Sequence, residues 1–79
     1  MIQNDLLVAQ VRLFSAIADP IRLQILKLLN EKGAMHVTKI YEILSRPQNL
    51  ISHHLNCLKT CGLVRVEKKG RFAIYEIAD

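Results

Sequence analysis

The sequence of 79 residues has few aromatic and turn-forming residues. It contains no Trp, two Phe, two Tyr, three Gly and two Pro. This scarcity disfavours a β-sandwich or barrel, and a hydrophobic content of 51% excludes a disordered chain. No apolar run approaches membrane-spanning length, and the amino terminus lacks the pattern of a signal peptide. We therefore expect one small helical domain, residues 1–79, in the cytoplasm and without a membrane partner.

Acidic residues are scarce in the second half of the chain. Residues 43–71 contain six Lys or Arg but a single acidic residue, Glu67, and the whole chain has a net charge of +4. Because phosphate-rich partners are attracted to such a segment, the charge distribution favours a nucleic acid as the partner.

The sequence also lacks the usual signatures of catalysis. There is no phosphate-binding glycine loop, no pair of catalytic carboxylates and no complete set of metal ligands. We predict that the protein is not an enzyme. Its two cysteines, in a reducing compartment, are better interpreted as thiols or metal ligands than as a disulfide.

Residues 5–18 are predicted to form a first helix with two apolar seams. We expect one seam to cover the core and the other to bind a second copy of the chain, which gives a homodimer through the first helix. The alternative is that both seams belong to the core. The seams consist of Leu6, Ala9, Leu13 and Ile17, and of Leu7, Val11 and Phe14.

A second helix is predicted to begin at Asp19, an acidic N-cap, with Pro20 as its first residue and a stop at Lys32 and Gly33. Arg22 on this helix can contact a phosphate or pair with an acidic neighbour. The predicted buried stripe contains Ile21, Ile25, Leu28 and Leu29, with Leu26 beside it.

Residues 36–44 predict a short third helix, followed by a turn that contains Arg46 and Pro47. We expect Arg46 to be the N-cap of the next helix and Pro47 its first residue. Since arginine is a poor cap, a DNA phosphate could accept hydrogen bonds from the first amides. The residues of the third helix expected in the core are Val37, Ile40, Ile43 and Leu44.

The fourth helix, which Gly62 ends, has the pattern of a DNA recognition helix. Its core positions are predicted to be Ile51, His54, Leu55 and Leu58. This spacing directs Gln48, Asn49, Ser52 and His53 outward, near the end that enters the major groove in helix-turn-helix proteins. The alternative is a polar face that is merely solvated.

Two strand-like segments, residues 63–67 and 72–77, flank a turn with glycine at a position suited to positive φ. Lys68, Lys69 and Arg71 at this turn are expected to contact phosphates or a neighbouring minor groove. The predicted fold is therefore mostly α with a small β-hairpin: a winged helix-turn-helix of about four helices followed by a two-stranded wing.

Three segments resemble the ArsR/SmtB family of bacterial winged-helix repressors. They read LFSAIADPIRLQIL at residues 13–26, ISHHL at residues 51–55 and CGLV at residues 61–64, followed by Gly70, Arg71 and Tyr75. The resemblance covers the chain from about Leu6 onward. It implies a homodimer that binds an inverted-repeat operator in double-stranded DNA, represses transcription and is released by an inducer.

The chain departs from that family at its metal sites. Residues 34–40 have His36 and Thr38 where the family's metal-binding cysteines stand, so that thiolate site is absent. No counterpart of the family's fifth helix follows the wing within these 79 residues. We therefore expect the first helix to hold most of any dimer, or the native chain to be longer.

Cys57 and Cys61 remain as candidate metal ligands. The segment LNCLKTCG, residues 55–62, resembles that of cadmium- and lead-sensing members of the family, which add a third cysteine from a carboxyl-terminal tail. A soft divalent metal such as cadmium, lead or zinc would need a further donor from His54, His36, a partner subunit or water. The thiols could instead be sites of oxidation, or simply packing residues.

Two other functions stay open at this point. A winged helix can serve as a protein-interaction module, whose binding would persist at high salt. The chain could also bind DNA constitutively, with no inducer site. The sequence specifies neither the operator nor the regulated gene.

Overall fold

The computed structural model describes residues 5–78, which form four helices and one three-stranded sheet. The four helices and the terminal hairpin confirm the predicted fold class. None of the helices in residues 5–78 is long and apolar enough to cross a membrane. In chain order the elements are α1 (Asp5–Ile17), α2 (Pro20–Lys32), β1 (Met35–His36), α3 (Val37–Leu44), α4 (Gln48–Thr60), β2 (Val64–Lys69) and β3 (Phe72–Ile77).

Helix α2 begins and ends where the sequence predicts. Oδ1 of Asp19 accepts hydrogen bonds from the amides of Ile21 at 2.8 Å and Arg22 at 3.2 Å, as an N-cap does. At the other end, the amide of Gly33 donates to the carbonyl of Leu29 at 2.9 Å, and its φ of 83° is one that glycine adopts without strain.

Helices α2, α3 and α4 pack around one apolar core. Its largest fully buried side chains are Ile25, Leu29, Ile40, Ile51, Leu55 and Leu58. The prediction that Ile43 faces this core is wrong, because its side chain is 46% exposed. Ile43 lies on the flank of α3 and lines a groove with Lys27 and Glu31, polar residues of α2 that do not enclose it.

The turn between α3 and α4 differs by one residue from the prediction. Pro47, not Arg46, is the N-cap of α4: its ψ of 144° is extended, and its carbonyl accepts from the amide of Ile51 at 3.1 Å. The Arg46 amide instead donates to the carbonyl of Tyr41 at 3.1 Å, closing the end of α3. Ser45 makes the turn with a left-handed φ of 54°.

The wing is a hairpin of β2 and β3 joined by Gly70 and Arg71. Gly70 has a φ of 62°, which suits the first position of a tight two-residue turn. The sequence did not predict β1, which pairs with β3 by opposing Met35 to Tyr75 and gives the sheet order β1-β3-β2. Two residues are too few to show an alternating pattern.

Helix α1 leaves almost all of its apolar surface exposed. Among its residues only Ala16, near its carboxyl end, is buried. The expectation that one seam covers the domain's own core is therefore wrong, and so is the alternative that both do. The helix contacts the domain through its second half, where Ile17 is half-buried and the Arg12 carbonyl lies near Cys61. The remaining residues of both seams are exposed. The exposed large apolar residues of α1 are Leu6, Leu7, Val8, Val11, Leu13 and Phe14.

Candidate nucleic-acid interface

Helix α4 is fixed by its apolar face. Ile51, His54, Leu55 and Leu58 are all buried, as their spacing predicts. The opposite face therefore points away from the core. On that face Gln48, Asn49 and His53 are exposed and Ser52 is half-buried, so the four predicted base-reading residues share one surface near the start of the helix.

The first turn of α4 has no side-chain cap of the usual kind. Pro47 makes no side-chain hydrogen bond to the helix, and Arg46 beside it is exposed. Oδ1 of Asn49 accepts from the amide of Leu50 at 3.0 Å. To pair through both its oxygen and its nitrogen with an adenine, this side chain must turn outward from the helix.

Basic residues cluster at the tip of the wing. Lys68, Lys69 and Arg71 are exposed there, which suits contacts with phosphate oxygens. Arg65, lower on β2, instead has its Nε 2.8 Å from Oε1 of Glu76 on β3. The sequence analysis did not predict this pair, although the register that follows from a two-residue turn opposes the two positions.

The structure also joins α2 to α4 by a hydrogen bond that the sequence did not predict. Nε of Arg22 donates to Nδ1 of His54 at 3.0 Å, so the side-chain partner of Arg22 in the domain is a histidine rather than a carboxylate. Burial lowers the pKa of His54. The carboxylate of Asp19 opposes this shift, whereas the charges of Arg22 and His53 add to it.

The two cysteines lie in a groove between α1 and α4 with a volume of about 310 Å³. Both are half-buried free thiols; Sγ of Cys57 is 3.9 Å from Nε2 of His53, and Sγ of Cys61 is 3.9 Å from the carbonyl of Arg12. Within residues 5–78 no group of three or more His, Cys, Asp or Glu side chains is placed to hold a metal ion.

Two histidines considered as additional metal donors have other partners. Nδ1 of His54 is engaged by Arg22, and His36 packs edge-on against Phe72 with ring centroids 4.9 Å apart. The structure thus brings the two thiols to one groove with the imidazole of His53 beside one of them. Any complete site needs a donor beyond this cluster.

Comparison with known proteins places the chain in a family. Residues 19–66, more than half of the chain, match the description "Bacterial regulatory protein, arsR family". An uncharacterized HTH-type transcriptional regulator of Methanocaldococcus jannaschii is 52% identical over 67 residues, covering 85% of this chain and 75% of that protein. The HTH-type transcriptional repressor SmtB of Mycobacterium tuberculosis is 37% identical over 76 residues, covering 96% of this chain but only 56% of the repressor.

A solved structure agrees with this relationship. The homodimeric winged helix-turn-helix DNA-binding domain of a protein from Mycobacterium bovis superposes with a TM-score of 0.88 at 34% identity, covering 98% of this chain and 74% of that one. The family consists of transcriptional regulators rather than enzymes. The chain therefore belongs to the arsR family of bacterial regulatory proteins, and residues 5–78 have the winged helix-turn-helix fold of its DNA-binding domains.

Proposed function

We propose that this protein is a cytoplasmic repressor that binds an inverted-repeat operator as a homodimer and reads it with α4. One observation carries the proposal. The core-facing side of α4 is buried, so its polar side faces outward, as do the basic residues of the wing. A rigid helix with exposed amide side chains near its start is what the major groove accepts.

The base-reading and phosphate-binding residues have different tasks in this proposal. Gln48 and Asn49 would pair with adenine edges, and Ser52 and His53 would add adaptable hydrogen bonds. The basic residues would hold the protein to the backbone without discriminating among sequences. Those proposed phosphate contacts are Arg46, Lys68, Lys69 and Arg71, all exposed.

Dimerisation would occur through α1. Phe14 is 65% exposed, and it belongs to an apolar surface along the helix that the domain's own core does not cover. Burying such a surface against a second copy is favourable, at about 25 cal/mol per Å² of apolar area. The similar domain from Mycobacterium bovis is homodimeric, which supports this assembly. Two recognition helices roughly 34 Å apart would then meet successive turns of the operator.

The inducer would act at Cys57 and Cys61. Two thiolates four residues apart, with the imidazole of His53 3.9 Å from one of them, are the soft donors that cadmium, lead or zinc prefers. These residues fit such an ion in type but do not complete its coordination. A further donor would come from a partner subunit or from water. When bound, the metal would supply a rigid link among side chains that are otherwise independent.

Selection of duplexes from a random DNA pool tests this proposal directly. The protein should enrich an inverted repeat, and its affinity should fall steeply as salt rises, because phosphate contacts release counterions. Repeating the selection with cadmium or with peroxide tests induction in the same assay. If no duplex is enriched, and the chain binds a partner protein even at high salt, the chain is an interaction module instead. Enrichment insensitive to metal and oxidant would identify a constitutive DNA binder.

A further inference from the structure

One polar side chain of α4, the proposed recognition helix, lies in the core of the domain. Among the described residues, His54 is the only polar or charged side chain in the buried class, at 6% exposure. It lies on α4 next to His53, one of the proposed reading residues, with ring centroids 5.5 Å apart. A polar group in an apolar core is costly unless it is hydrogen-bonded, so the role of its partner matters.

That partner fixes the chemical state of the ring. Arginine is always protonated and only donates, so Nδ1 of His54, 3.0 Å from Nε of Arg22, must accept. The imidazole is then neutral and carries its proton on Nε2. Arg22 is itself held in place, because its amide donates to the N-cap carboxylate of Asp19 at 3.2 Å. The bond therefore ties the first turn of α2 to the middle of α4.

We propose that Arg22 is a positioning residue for DNA recognition: it holds α4 at its reading angle through the ring of His54. The inference deepens the proposed function and rests on it. Without the guanidinium, the buried acceptor Nδ1 of His54 would lose its donor. The outward face of α4 would then no longer be held from α2.

The informative quantity is the ratio of operator affinity to non-specific affinity, because a misplaced α4 would lose base contacts while the phosphate contacts remain.

His54→Asn provides the matched control. The amide oxygen of Asn can stand near the position of Nδ1 and accept from Arg22. The variant should therefore keep the wild-type ratio. A ratio as low as that of Arg22→Ala would overturn the inference.

Substitutions of Arg22 separate positioning from a phosphate contact. Arg22→Ala should lower operator affinity about tenfold while sparing non-specific binding and the salt slope. Arg22→Lys, which keeps a donor, should recover most of the loss. Equal losses on all DNA with a flatter salt slope would show that Arg22 contacts phosphate instead. Thermal melts followed by circular dichroism show whether each variant is folded. If His54→Asn does not fold, the comparison of Arg22→Ala with Arg22→Lys still tests the inference.

Nitrogen NMR of the His54 ring needs no DNA. It therefore separates a failure of the positioning role from a failure of the proposed DNA-binding function. The wild type at pH 7.5 should show the Nε2-protonated tautomer, and Arg22→Ala should abolish this preference. An Nδ1-protonated ring would overturn the positioning role. If the ring is as described and the wild type selects no operator at any pH, the proposed function fails, and the positioning role fails with it.

Discussion

Across the wing, Nε of Arg65 lies 2.8 Å from Oε1 of Glu76. The pair follows from the register set at Gly70, which opposes these two positions on β2 and β3. Both side chains are partly exposed to solvent, so the pair adds little to stability. Its importance is electrostatic: Glu76 balances the charge of Arg65 on the shaft of the hairpin, whereas the tip carries exposed Lys68, Lys69 and Arg71.

Arg71→Gln should therefore weaken binding to all DNA sequences and reduce the salt slope by about one phosphate contact. Arg65→Gln is the matched control: it removes the same charge from the same hairpin but should leave the slope nearly unchanged. Titrations of operator and random duplex at several salt concentrations measure both. An equal effect of the two substitutions would mean that the whole wing, rather than its tip, contacts the backbone.

Gln48→Ala and Ser52→Ala should each cost about 1–3 kcal/mol on the selected operator, with little change on random DNA, because these side chains are proposed to contact base edges. Asn49→Ala should show the same loss of specificity and also a small loss of thermal stability, since Oδ1 of Asn49 accepts from the Leu50 amide. Losses that are uniform across all sequences would show that α4 does not read bases.

Phe14→Glu should convert the protein to a folded monomer that binds a palindrome poorly, because a carboxylate cannot be buried in an apolar interface without cost. Ile43→Glu is the control: it places the same charge on another exposed apolar residue, on α3. Sedimentation gives the oligomeric state and circular dichroism the fold. A dimer that survives Phe14→Glu would place the interface elsewhere.

Asp19→Ala should lower the midpoint of thermal unfolding, since two amides at the start of α2 lose their acceptor. Asp19→Asn keeps an N-cap oxygen and should retain most of the stability. The pKa of Asp19 is lowered in the folded protein: desolvation opposes the shift, but the hydrogen bonds from the Arg22 and Ile21 amides, together with nearby positive charge, outweigh it. The stabilisation is thus complete above the ordinary value of 3.8 and should fade as pH drops below it.

The thiols provide a prediction about induction. Cadmium or lead should produce a thiolate charge-transfer band and lower operator affinity, and Cys57→Ser should abolish both effects while sparing DNA binding by the metal-free protein. Peroxide should mimic the loss if the switch is oxidative, and a reductant should reverse it.

His53→Gln distinguishes two routes from the thiols to DNA. His53 lies beside Cys57 and also on the proposed reading face. If the metal withdraws this imidazole from the DNA, the variant should respond weakly to cadmium. A full response would point to movement of α4 as a whole. Affinity unaffected by metal and peroxide, with protein that begins reduced, would leave both cysteines as packing residues.

Features governed by neighbouring residues were predictable. Asp19 and Pro20 correctly predicted the start of α2. The spacing of Ile51, Leu55 and Leu58 correctly predicted the core face of α4. Both signals depend only on residues that are close in the sequence. The roles of the outward residues as DNA ligands remain predictions.

Features that depend on distant residues were missed. Arg22 and His54 are 32 residues apart, and nothing local indicates that they meet. β1 exists only because β3 offers it a partner. For α1, the seams were recognisable in the sequence, but a seam indicates only that a helix needs a partner and does not say whether its own domain supplies one.

The pairing of Met35 with Tyr75 has a consequence for the kind of operator this protein selects. Because β1 leads directly into α3, the wing is anchored to the helix-turn-helix rather than swinging as a free arm. The distance between the proposed base contacts of α4 and the proposed phosphate contacts of the wing is thereby fixed within the protein. The DNA duplex must then deform to fit this distance. We therefore expect operator affinity to depend also on base steps that no side chain contacts, through the free energy needed to bend them.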